Sequence, residues 1–278
     1  MNVFNVFDHP YFTHALLAGT GIAAAAGLVG YFLVLRAQVF TGDALGHVAF
    51  TGALAALALG YDLKVGLFAA TVVFAVLIGA LGGRGRSDDV AIGSAFAWIL
   101  GLGAFFLTLY TTRGAAHGTT GVSVLFGSIF GLSADQARVA ALVTAAICAA
   151  VVLLARPLLF ASVDETVAAA RGVPVRVLSL AFLVVVGACA AEATQAVGSL
   201  LLLGLLAAPA GTAHRLTARP YPALALSAGL AVVEMWAGLW LSHAAPRLPP
   251  SFAILAVTTT VHLSALIAVR PRRGAAIA

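Results

Sequence analysis

Long apolar runs separated by short polar segments repeat along the whole chain, at residues 14–34, 43–60, 65–82, 90–110, 137–155, 177–191, 197–213, 222–242 and 252–269. Most approach the roughly 20 residues that carry a helix across the hydrocarbon core of a bilayer, so the pattern predicts about nine transmembrane helices. A further stretch, 122–131, is rich in Phe and Gly but too short to span, and reads as a re-entrant or interfacial piece.

Composition sharpens this reading. The 278 residues are 62% hydrophobic and only 9% charged, with a mean hydropathy of +1.07, whereas a soluble domain carries roughly 25% charged residues. The expectation is an all-α integral membrane protein, a polytopic helix bundle that fills residues 1–278 as a single transmembrane domain and leaves no room for a soluble catalytic one. Residues 1–13 hold Asp8 and His9 but no Lys or Arg, unlike the basic start of a cleaved signal peptide, so the first helix is expected to stay attached. Cys148 and Cys189 lie in separate apolar runs without CxxC spacing and read as small hydrophobic residues.

The net charge of +5 is dispersed over short connecting loops, where it orients the protein in lipid and implies no nucleic-acid partner. Eleven of the 15 Lys and Arg residues, beginning with Arg36, Arg84 and Arg86, collect at one set of helix ends, and only Lys64, Arg113, Arg138 and Arg247 at the other. Basic residues concentrate on the cytoplasmic side of membrane proteins. The chain is therefore expected in the plasma (inner) membrane with its N-terminus outside and its C-terminus in the cytoplasm.

Against this apolar background, Asp43 and His47 stand four residues apart in Thr41-Gly-Asp-Ala-Leu-Gly-His-Val-Ala-Phe-Thr-Gly52. At that spacing both side chains lie on one helical face. A carboxylate at the centre of a membrane helix costs about 2.5–3.5 kcal/mol on insertion scales, so such groups mark an ion pathway or a binding site. Carboxylate oxygen with imidazole nitrogen suits zinc, manganese or iron better than sodium or potassium. The plainer alternative makes Asp43 a helix cap and His47 a hydrogen-bonded core residue. Gly42, Gly46 and Gly52 let neighbouring backbones approach closely, which places this helix inside the bundle and away from lipid.

A charged interruption at 162–174 (SVDETVAAARGVP) falls on the expected cytoplasmic side. Ser162 or Asp164 can cap a short helix there, and Gly172 and Pro174 can end it, giving either a docking surface for a soluble partner or an ordinary loop. Among the other polar groups, Asp88-Asp89 opens the fourth span, where acids complement a helix N-terminus. Glu192 and Gln195 read as wetted loop groups, whereas Glu234 and His262 fall inside the last two spans as secondary candidates for a polar pathway. His9, His14, His117 and His243 lie near the outer side without ligand spacing.

Enzymatic motifs are missing. The only lysine, Lys64, follows Tyr61-Asp-Leu63 and no glycine-rich turn, so the sequence has no ATP-binding loop, and neither HExxH nor GxSxG occurs. The chain reads as a non-enzyme, and any ATP use would come from a separate subunit.

Several segments, in order, resemble the permease subunits of metal-ion ABC importers that take up zinc and manganese. They are Gly42-Asp-Ala-Leu-Gly-His-Val-Ala-Phe-Thr-Gly52, Asp88-Asp-Val-Ala-Ile-Gly93, Leu125-Phe-Gly127, Val197-Gly-Ser-Leu-Leu-Leu-Leu-Gly-Leu-Leu-Ala-Ala-Pro-Ala-Gly-Thr-Ala213 and Leu248-Pro-Pro250. The similarity covers residues 27–268, with Gly46 standing where the family's pattern carries serine. In that family the carboxylate and histidine of the second span bind the transported cation, and the resemblance carries those roles to Asp43 and His47. It likewise makes 164–173 similar to the family's cytoplasmic coupling helix, which docks on the ATPase.

What the resemblance implies is the permease of an ATP-driven importer, with zinc expected first and manganese next as cargo and no permanently bound cofactor. The implied partners are cytoplasmic ATPase subunits, an extracytoplasmic metal-binding protein and a second permease copy. One Asp/His pair is too few for a zinc site, and two symmetry-related pairs supply four protein ligands. The competing function is an ion-coupled secondary carrier that works without an ATPase and recruits Glu234 or His262 as a relay.

Overall fold

The computed structural model describes residues 10–81, 89–112 and 124–268. Expectations that rest on Asp8, His9, Arg84, Arg86, Asp88, Arg113 or His117 lie outside them. Among the described residues the chain is built from helices alone. They are α1 (Pro10–Leu35), α2 (Val39–Leu59), α3 (Leu63–Leu81), α4 (Asp89–Thr111), α5 (Ala134–Val163), α6 (Glu165–Ala170), α7 (Val175–Val197), α8 (Ser199–Leu216), α9 (Pro220–Ala244) and α10 (Pro250–Ala268), with a single 3-10 turn at Ile129–Gly131. Among the described residues eight are long and apolar enough to cross a membrane, and Leu63–Gly79 within α3 is a shorter apolar helix.

α1 runs through the middle of the bundle, against α5, α7, α8 and α9. Its buried Phe12, Ile22, Phe32 and Leu33 join Phe182, Leu202 and Leu206 in one continuous core. α2 packs against α3, α4, α7 and α8. In lipid the surrounding tails are as apolar as leucine, so close backbone packing, not water exclusion, holds such helices together. The contact between α2 and α3 shows this directly. A Cβ built on Gly52 would run into the Gly66 carbonyl and the Ala70 methyl, and one built on Gly66 would run into the Gly52 carbonyl.

Local chemistry sets the helix ends. α1 closes with Gln38 N donating to Leu33 O at 2.8 Å and Ala37 N to Val34 O at 3.1 Å, with Ala37 in the left-handed region at φ 54°. Ser133 and Gln136 form a reciprocal capping box at the start of α5. α5 then continues past Pro157 to Val163, well beyond the apolar run at 137–155. At the opposite end of the bundle from the α1–α2 turn, three of the quoted segments meet. Gly127 (φ 77°) abuts the Val197-Gly198 backbone, Gly198 (φ 88°) abuts Leu125-Phe126, and the Ser251 hydroxyl donates to both Phe126 O and Val197 O. Both glycines adopt backbone angles that other residues rarely do. The 124–131 segment is thus a short helical stretch at 124–126 and the 3-10 turn Ile129–Gly131, tucked against the α7–α8 junction, and not a crossing.

Candidate metal-ion site

α2 begins at Val39, with Gln38 at its N-cap position and no side-chain cap. Asp43 therefore lies inside the helix and does not cap it, which removes the first half of the plain structural alternative. Along residues 41–50 of this helix every position is buried except Asp43 and His47, which are half-buried. The buried neighbours are held by close packing: a Cβ on Gly42 would stand 2.8 Å from Leu33 Cδ1, and one on Gly46 2.8 Å from Leu202 Cδ2. A serine at 46 would press its side chain against Leu202, so the glycine suits the fit of α2 on α8.

The half-buried stripe faces α4. Phe96 stands edge-on to His47 with ring centroids 5.2 Å apart and edge-on to Phe40 at 5.4 Å. Phe40 precedes Asp43 by roughly one turn and His47 follows it by another, so one aromatic ring borders the pair across both turns. α4 is held in this register by a buried hydrogen bond from Thr51 Oγ1 to Ile99 O at 3.1 Å. The pair offers a carboxylate and an imidazole to one ligand on an otherwise apolar wall. Sequence reasoning missed Phe40 and Phe96, although the spacing of Phe40 ahead of Asp43 at i−3 is a readable signal.

The other expected polar groups lie elsewhere. His262 Nδ1 is 3.0 Å from Thr212 Oγ1, joining α10 to α8. Glu234 on α9 is 1% exposed, and neither of its carboxylate oxygens has a hydrogen-bond partner. No hydrogen bond links either residue to Asp43 or His47. Glu192 and Gln195 correct the loop expectation. Both lie in the last turns of α7, where the helix-forming stretch Ala-Glu-Ala-Thr-Gln-Ala carries the helix on to Gly198, and Glu192 is only 4% exposed. Gln195 lines a polar cavity of about 250 Å³ with Asp62, Lys64, Ser128 and Gln136, at the bundle end away from α6. Among the described residues no three His, Cys, Asp or Glu side chains gather where a metal ion could be held. One chain offers a pair.

The sequence profile of the ABC 3 transport family matches residues 8–269. The chain belongs to this family. Within it, the manganese transport system membrane protein MntC of Halalkalibacterium halodurans is 29% identical over 241 residues, 85% of this chain and 80% of that protein. The manganese import system permease protein ScaB of Streptococcus parasanguinis is 28% identical over 270 residues, covering 95% of this chain and 93% of its own length. The fold is shared with a solved structure, PsaBC from Streptococcus pneumoniae in complex with Fab, at a TM-score of 0.81 and 26% identity over 95% of this chain and 93% of that one. This ABC 3 family member is thus a multi-pass membrane protein of transport, with the helix order expected from its apolar runs.

Proposed function

We propose that this chain is the membrane-spanning permease of an ATP-driven importer of divalent transition-metal cations in the plasma membrane, carrying manganese first and zinc next. The observation that carries the proposal is the Asp43/His47 stripe, the half-exposed polar face of a helix whose apolar window is 72% buried, the largest share among the eight long spans. The relatives named for manganese put that ion ahead of zinc, the cargo placed first on the resemblance, whereas the ligand pair by itself suits either. Manganese accepts more oxygen ligands and water than zinc does, so carboxylates and imidazoles completed by water suit it.

A single pair of ligands is too few to select and hold a divalent ion, so the site is completed by a second copy of the chain. Two symmetry-related pairs then supply four protein ligands. The whole chain acts as one transmembrane unit. An extracytoplasmic metal-binding protein would deliver the ion at the end bearing the Asp62, Lys64 and Gln195 cavity, and ATPase subunits would dock in the cytoplasm on α6. ATP binds the closed and open arrangements of those subunits unequally and so shifts which side has access.

The geometry of α6 supports its role in docking. The Asp164 side chain accepts from Val167 N at 2.9 Å and caps the helix. Gly172, at φ 84°, follows its end. Ala168 faces inward, fully buried, whereas Thr166, Val167, Ala169 and Ala170 are exposed. Replacing Ala169 and Ala170 with glutamate is expected to prevent co-purification of the ATPase while leaving the permease at its normal level in the membrane. Intact complexes with wild-type uptake would make α6 an ordinary connection.

Orientation is tested by cysteine labelling in a background free of Cys148 and Cys189. Asp135→Cys, at the exposed start of α5, is expected to react with an impermeant thiol reagent in intact cells, and Ala169→Cys only in inside-out vesicles. The reverse pattern would turn the topology over and put α6 on the wrong side for an ATPase.

A further inference from the structure

Between α1 and α5 runs an open groove of about 440 Å³ that shares no residue with the metal-ion site. Leu16, Leu17 and Gly21 wall it on α1, and Ala141, Ala145 and Cys148 wall it on α5. The two helices close its floor, where a Cβ on Gly21 would run into the Thr144 hydroxyl. Both hydroxyls in the lining are already committed. Thr144 Oγ1 donates to Ala140 O at 2.7 Å, and Thr20 Oγ1 donates to Leu16 O at 2.6 Å while accepting from Trp236 Nε1 at 2.8 Å. The groove therefore offers an apolar bed, of the size that small-molecule sites have, roughly 300–1,000 Å³. Leu17 and Ala145 are exposed, so it opens sideways to the surrounding lipid.

A polar mouth stands over this bed. α1 and α5 start at the same end of the bundle, since Tyr11 and Phe12 meet the Phe130 ring, just ahead of α5, with centroids 5.8 and 6.1 Å apart. They run parallel, so the register set at Gly21 and Thr144 can be followed back toward that end. His14 precedes Gly21 by two turns and Arg138 precedes Thr144 by nearly as much, which puts both about 10 Å from the floor contact at 1.5 Å per residue. Arg138 lies on the same helical stripe as Ala141, Ala145 and Cys148, and His14 on the same stripe as Leu17 and Gly21. Arg138 pairs with Asp135 at 3.3 Å through Nη1, with both side chains largely exposed. Such a pair is weak, and it leaves most of the guanidinium donors for a stronger acceptor.

We propose that this groove is a binding site for one membrane phospholipid, whose acyl chain lies along the bed between α1 and α5 while its phosphate accepts from Arg138 and His14. Charge complementarity selects this occupant: a phosphodiester matches the guanidinium fork, and the apolar lining below matches a hydrocarbon chain. Basic groups set between transmembrane helices recognise lipid headgroups in the same way. Because lipid tails are as apolar as leucine, two helices gain little from merely facing each other, and a molecule that touches both acts as a splint. The bound lipid thus holds α5 against α1. The inference needs only that these helices cross a membrane and stands apart from the importer reading.

Trp236 reports occupancy, because its indole is bonded to Thr20 at the groove. With Trp98→Phe and Trp240→Phe it is the only tryptophan of the full-length chain. In detergent, phosphatidylglycerol brominated along its acyl chains is expected to quench Trp236 saturably, at a concentration at least about tenfold below that needed for a diacylglycerol with the same chains. Arg138→Gln should bring the two lipids to within about twofold of each other. Ala145→Leu, which fills the bed and leaves the mouth intact, should weaken both by at least about fivefold. Arg138 and Ala145 are exposed, so neither change disturbs the packed core. Equal quenching by the two lipids, or a tenfold preference that survives Arg138→Gln, overturns recognition of the phosphate. Unchanged quenching in Ala145→Leu overturns the groove as the site and leaves only the general lipid shell. Absence of quenching by both lipids, with an oxidative dimer through Ala145→Cys in a background free of Cys148 and Cys189, gives the groove to a second copy of the chain and overturns the proposal.

Discussion

Asp43→Asn and His47→Ala are each expected to reduce ATP-dependent uptake of divalent cations by at least about 100-fold. Loss of a residue that merely orients a metal ligand already costs 10–100-fold, and in a paired site each change removes two of four ligands at once. Asp43→Asn keeps the size and shape of the side chain, so the half-buried stripe facing Phe96 is preserved. Neither variant should unfold the protein. Asp43 caps no helix end, and deleting an intramembrane charge relieves a desolvation cost. Uptake of radioactive manganese, normalised to permease in the membrane, provides the measurement. Near-normal uptake by both variants would remove the cation from this face of α2, and loss of the protein itself would give the pair a structural role.

The largest effect on folding is expected at Gly52. Its backbone lies directly against Gly66 and Ala70, and a Cβ there collides with a carbonyl oxygen that belongs to the α3 helix and cannot turn aside. Gly52→Val adds three carbons into that contact. Overpacking of a rigid interior costs roughly 1–3 kcal/mol and sometimes more, a large fraction of the stability of an ordinary domain. The α2–α3 pair would separate and the protein would be recovered at a small fraction of its normal level, or melt well below wild type in detergent. Gly101→Val is the matched control, because nothing lies within 4 Å of a Cβ at Gly101 on the exposed side of α4. Equal melting of the two variants would contradict close α2–α3 packing.

Hydropathy alone located the eight long apolar helices and the shorter one within α3, because a membrane span has to be both long and apolar. It was weakest where helix persists beyond the apolar run. α7 continues through Glu192 and Gln195 because alanine-rich helical sequence runs on to Gly198, and a hydropathy window stops at the polar residues. α5 passes Pro157, which the chain tolerates within a packed helix. Asp43 and His47 were legible as a pair because their spacing follows the helical repeat. What the spacing does not carry is burial: that only these two positions open out of residues 41–50 depends on α3, α7 and α8 covering the rest. Phe96 comes from another helix and cannot be reached by local periodicity. Leu125-Phe-Gly127, Val197-Gly198 and Ser251 could be read as separate strings, yet their meaning is shared: two glycines in left-handed turns and one hydroxyl lock three connections together.

The most direct measurement of the importer account is release of manganese from vesicles that contain the permease with its ATPase and the metal-binding protein in the lumen corresponding to the cell exterior. The account predicts export of lumenal manganese to the ATPase side only when ATP is hydrolysed, with zinc competing less effectively, and no dependence on a proton or sodium gradient. Movement of manganese by the permease alone, driven by such a gradient without ATP, would contradict it and favour a secondary carrier.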